Sequence, residues 1–131
     1  MRPIAAVVLM FALVLPGCGK NEETLKIAKE VSAKASLMLL RSSTMQYKMR
    51  YAQYPAALGD LKDFITDPAL LSGAKNGFNF KFAKNENSWE CYAVPADANA
   101  GGFSFYMSDD GVLREKEGIQ ETGGKDWPEF K

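Results

Sequence analysis

The sequence predicts an α+β domain, a long N-terminal helix packed on a four-stranded antiparallel β-meander. Three observations carry this. From Leu25 to Gln53 the chain has neither proline nor glycine, and its apolar residues recur at helical spacing. After Gly77 the pattern changes to short runs in which apolar and polar residues alternate, separated by turn-forming residues. The overall mix, 47% hydrophobic and 24% charged over 131 residues, suits one globular domain.

The chain opens on a short apolar run. Arg2 is followed by an uncharged stretch from Ile4 to Leu15, and the run ends in Leu15-Pro16-Gly17-Cys18. A helix of that length spans about 18 Å, short of the ~30 Å of a hydrocarbon core, so it reads as the apolar core of a signal peptide. Leu15, Gly17 and Cys18 resemble the lipobox of bacterial lipoproteins. The resemblance implies cleavage before Cys18, lipid on Cys18, and residues 18–24 as a lipidated tether. An acyl anchor holds a protein at a membrane without a spanning helix. In a Gram-negative source, Gly19 in place of an acidic residue implies the periplasmic face of the outer membrane.

The elements of residues 25–131 follow in order. Thr24 is placed to cap the helix. Ile27, Val31, Ala35, Met38, Met45 and Met49 form one stripe, widened by Ala28 and Leu39, and are expected to face the sheet, with the methionines as core filling. A second row, Leu40, Tyr47, Tyr51 and then Tyr54, predicts a helix whose C-terminal half is enclosed on two sides. Tyr54-Pro55 ends it, because the residue before proline avoids the α region. Pro55 to Leu61 reads as a short helical turn, Asp67 to Gly73 as loop or short helix, and Asn76-Gly77 as a turn. Four strands follow: 78–82, 89–94, 103–107 and 112–114. Asp109-Asp110-Gly111 is the hairpin turn before the last. Residues 118–131 read as a loosely attached tail with Trp127 as its anchor.

Composition narrows the function. The chain has no histidine and two cysteines, which removes imidazole acid–base chemistry and the usual zinc sites. Sixteen basic against sixteen acidic residues leave no basic field for nucleic acid. With Cys18 given to lipid, Cys91 is expected as a buried small hydrophobe in a strand. Asp109-Asp110 could ligate calcium but is accounted for by turn chemistry. Gly101-Gly102 lacks the partners of a phosphate cradle. Ser42 and Ser43 have only Lys48 as a conceivable base. No enzyme activity, cofactor or metal is expected. Tyr92 and Tyr106 fall on the sheet face away from the helix and are the candidate partner surface.

Several segments together resemble the head domain of type IV pilin-like and type II secretion pseudopilin-like proteins. These are the Tyr-rich helix end closing in Tyr54-Pro55-Ala56-Ala57-Leu58, then Asp67-Pro68-Ala69-Leu70 and Lys75-Asn76-Gly77-Phe78. The likeness continues through Tyr92-Ala93-Val94-Pro95, Gly102-Phe103-Ser104-Phe105-Tyr106 and Asp110-Gly111-Val112-Leu113-Arg114, so it covers roughly residues 36–115. It implies a binding or assembly module, with an envelope, secretion or pilus protein as partner. The long hydrophobic filament helix of pilins is replaced here by the short run and Cys18. The helix also carries Lys26, Lys29, Glu30, Lys34, Arg41, Lys48 and Arg50. A filament core would desolvate those charges, so the soluble domain is expected to be monomeric.

Overall fold

A computed structural model describes residues 21–131. The expected signal segment 1–17 and the expected lipidation site Cys18 lie outside the described residues. Helix α1 (Asn21–Tyr51) leads into a 3₁₀ turn at Leu58–Leu61 and a short α2 (Pro68–Ser72). Five strands follow: β1 (Ala74–Lys75), β2 (Phe78–Lys84), β3 (Trp89–Pro95), β4 (Phe103–Ser108) and β5 (Arg114–Glu117). All neighbours pair antiparallel, in the order β1-β2-β3-β4-β5. The domain is therefore α+β, one long helix over a five-stranded antiparallel sheet.

The strand beyond the four expected comes from the Asn76-Gly77 turn. Both residues are left-handed, φ 51° and 82°, as a two-residue type I′ hairpin requires. The turn folds Ala74–Lys75 back onto Asn79 and Phe78. Asn76 Nδ2 also donates to Ser32 Oγ at 2.9 Å, tying the hairpin to α1. The helix already runs from Asn21, so Thr24 lies inside it and residues 21–24 of the expected tether are helical. It stops at Tyr51, two residues before the expected end, because Ala52 takes φ 62° while its N–H still bonds Lys48 O at 2.8 Å. Asp67 caps α2 through the Ala69 N–H at 3.0 Å, and Gly73 closes it in the left-handed conformation.

The core sits between α1 and one sheet face. Phe78, Phe80, Trp89, Cys91, Ala93, Phe105 and Met107 point at the helix and are buried, as their alternation predicts. The 3₁₀ turn and α2 add Leu58, Leu61 and Leu70, with Ile65 between them. From α1 come Ala33, Leu37 and Leu40, with Ser36, Ser43 and Thr44 also buried. The sheet supplies the bulk and the helix mainly small side chains, so the helix axis can approach the aromatic layer closely.

The expected helix stripe is turned the other way. Ile27, Val31, Met38 and Met49 are 60%, 55%, 53% and 84% exposed, and Met45 and Leu39 are exposed with them. They are not core filling, and the C-terminal half of α1 is not enclosed on two sides. A helix carrying two apolar rows offers both to a sheet. The row of Ala33, Leu37, Leu40 and Thr44 is the one packed against the phenylalanines.

Candidate interaction surface

The outer face of α1 is built from residues three and four apart. Ile27, Val31, Ala35, Met38, Met45 and Met49 succeed one another at these steps or at seven, so they lie along one line. The buried set of Ala33, Leu37, Leu40 and Thr44 lies on the opposite side. At 1.5 Å per residue, the line from Ile27 to Met49 is about 33 Å long. At a full helix width of about 12 Å it spans at most roughly 400 Å², within the range of the largest apolar patches on monomers, which are often functional.

Basic residues border this line. Lys34, Arg41 and Lys48 are spaced by seven, so they form a row along one flank. Each is half-buried along its stem. The Lys34 ammonium stands 3.9 Å from the Phe130 ring centre and 5.4 Å from that of Phe105, and Lys48 stands 4.7 Å from Tyr54. The Arg41 guanidinium rests against Gly111, where an added Cβ would lie 2.8 Å from Nε. Glu30 is held by the Gly102 N–H, which donates to its Oε2 at 2.6 Å and ties α1 to the β3–β4 loop. The heptad spacing of the three bases was legible in the sequence, but its meaning depends on which helix face is buried.

The tyrosines expected as the partner surface are covered by the chain itself. Tyr106 is 1% exposed and Tyr92 half-buried. Trp127 packs edge-on to both, with ring centres at 5.6 Å from Tyr92 and 6.2 Å from Tyr106. The Gly124 N–H donates to the Tyr92 hydroxyl at 3.0 Å, and the Tyr106 hydroxyl donates to Glu90 Oε1 at 2.9 Å. Burial, and then the bond to the Glu90 carboxylate, push the Tyr106 hydroxyl well above its ordinary range. Only a glycine fits at 124, because a Cβ there would run into the Tyr106 ring.

Residues 118–131 are thus not a loose tail. Phe130 N–H bonds Leu113 O at 2.8 Å, and Glu115 N–H bonds Pro128 O at 3.0 Å. Arg114 Nη1 donates to Trp127 O at 3.1 Å, and Lys81 pairs with Glu121. Two aromatic rings on an open sheet face carry enough apolar area to recruit a passing tryptophan, which is why that face is closed.

The remaining candidates are explained locally. Cys91 is fully buried, and burial, with the neighbouring Glu90 carboxylate, pushes its thiol far up, so it is held as the neutral thiol. Asp110 accepts from the Ser108 hydroxyl at 3.0 Å and the Val112 N–H at 2.9 Å, and pairs with Arg114 at 3.6 Å. Partial burial works to raise its carboxyl, but these partners outweigh it and hold the carboxyl below its usual range. Asp109 is exposed beside it, so the Asp-Asp-Gly run serves as a turn. Ser42 accepts from Gln46 at 3.5 Å, Ser43 is buried, and Lys48 lies over Tyr54, so no Ser–Lys pair forms. Gly101 is buried against Phe78, and the Gly102 N–H is taken by Glu30. Among the described residues, no helix is long and apolar enough to cross a membrane.

No protein-family model matches the chain, and no curated protein proves similar to it.

Proposed function

We propose that this chain is a non-enzymatic, lipid-anchored cell-envelope protein whose pilin-like domain acts as a binding or assembly module. The observation that carries the reading is the outward apolar face of α1, borne by a helix already formed at Asn21, three residues after Cys18. A lipid on Cys18 would present that face at the membrane from the first turn. The element order also supports a pilin-like reading, with one long helix laid across a consecutive antiparallel meander. Metabolic labelling with a fatty-acid analogue tests the anchor. Label is expected on the wild-type protein and not on Cys18→Ser, and label persisting in Cys18→Ser would refute the assignment.

A pseudopilin-type subunit of a secretion or pilus machine is the second reading, favoured by the same face, which could pack against further helices. The basic row of Lys34, Arg41 and Lys48 opposes stacking of like helices, since unpaired charges would be brought together. Light scattering at high concentration is expected to show monomers of residues 19–131. Ordered fibres in negative stain would instead favour the subunit reading.

A further inference from the structure

Charge is segregated between the two layers. From Asn21 to Tyr51 the helix carries six basic residues and three acidic, Glu22, Glu23 and Glu30, the last already bonded to the Gly102 N–H. From Ala52 to Lys131 the chain carries eight basic and thirteen acidic residues. The balanced total therefore conceals a cationic helix on an anionic body. Three of the six cations, Lys34, Arg41 and Lys48, border the exposed apolar line along one flank, while Lys29 lies against the Gly77 turn. An apolar strip flanked by cations, on a helix that keeps its other side in a protein core, has the chemistry of a surface for an anionic lipid layer.

We propose that the outer face of α1 lies flat on a membrane rich in anionic lipid, with Ile27, Val31, Met38, Met45 and Met49 entering the acyl boundary. Lys34 and Arg41, which rest on the flank against Phe130 and Gly111, turn their heads to headgroup level on binding, and the sheet faces away from the bilayer. This deepens the function proposed above by naming what the module binds. A second copy suits the face less well. The strip spans at most about 400 Å², half of the ~800 Å² per partner in a typical stable interface, and pairing two such helices would oppose like charges. A bilayer needs no matching shape, and it lies where a lipid on Cys18 would hold the chain, three residues from Asn21.

The test uses residues 19–131, which lack Cys18 and contain every core residue from Ala33 to Trp127. Its outcome is therefore independent of whether Cys18 is acylated, which labelling reads separately. The protein is floated with vesicles of phosphatidylethanolamine and phosphatidylglycerol at about 7:3, and with phosphatidylcholine alone. We expect association with the anionic vesicles, at least about tenfold weaker on phosphatidylcholine or at about 0.5 M salt. The Val31→Glu/Met45→Glu variant alters only exposed positions and is expected to lose association at least tenfold, with its thermal melt unchanged. A polarity-sensitive dye on Ser42→Cys, in the middle of the face, is expected to shift to the blue on anionic vesicles. Buried Cys91 stays unlabelled in the folded protein. Failure to float with anionic vesicles, equal floating of the double variant, or an unshifted dye would overturn the proposal. A dimer in light scattering that Val31→Glu/Met45→Glu dissolves would overturn it in favour of a second copy.

Discussion

Leu37 and Met38 are neighbours in the chain and opposites in the fold, and replacing each in turn by alanine tests which way α1 faces. Leu37 is fully buried among the core residues, whereas Met38 is 53% exposed. Leu37→Ala removes buried carbons from a close-packed layer and leaves a cavity, a change that costs about 3 kcal/mol, within the 2–5 kcal/mol usual for such truncations. A domain of this size holds about 5–15 kcal/mol in total. At a few degrees per kcal/mol, Tm should fall by roughly 10–15 °C. Met38→Ala removes a side chain already half in water and should cost under about 1 kcal/mol. Urea titrations and thermal melts of both variants decide it. If Met38→Ala proved as damaging as Leu37→Ala, the methionine line would be the core face and the helix would be rotated by about half a turn.

Trp127→Ala should cost about 3 kcal/mol, read by urea titration, because it strips a buried aromatic from Tyr92 and Tyr106. It should also open the Tyr106 hydroxyl to titration at lower pH, followed by ultraviolet absorbance, since burial is the main cause of its elevation. Ala52→Gly should raise stability by about 0.5–1 kcal/mol in the same assay, because Ala52 sits at φ 62°, where a Cβ is strained. Cys91 should resist a thiol reagent at pH 8 in the native protein and react at once in urea, because burial keeps it protonated. Asp110 is held below its usual range, so its contribution is present above the unfolded value near pH 4 and is lost as pH falls through the folded value. Asp110→Asn should therefore lower stability at pH 6 and matter less by pH 3, as measured by urea titration at both.

The one-dimensional pattern of the chain was enough for the fold class and for most of the elements. Period-two alternation in Phe78-Asn79-Phe80-Lys81 admits only one facing, since a single-residue slip would bury asparagine and lysine in place of phenylalanine. Asn76-Gly77 signalled a turn, although a strand as short as Ala74–Lys75 leaves no pattern of its own to read. Only tertiary structure decided the facing of α1, because both rows of that helix satisfy the same 3.6 period. The choice is made by packing against the facing phenylalanines, a surface that only the paired strands define. The fate of Tyr92 and Tyr106 was equally non-local. Their outward alternation is correct, but the cover over them comes from Gly124 and Trp127, about thirty residues beyond Tyr92 and about twenty beyond Tyr106, and no local rule connects them. The apolar line, the basic row and the anionic sheet were each visible as residues. That the first two share the open side of the molecule follows from the packing of Leu37 and Leu40 against the sheet, which turns every residue half a turn away to the outside.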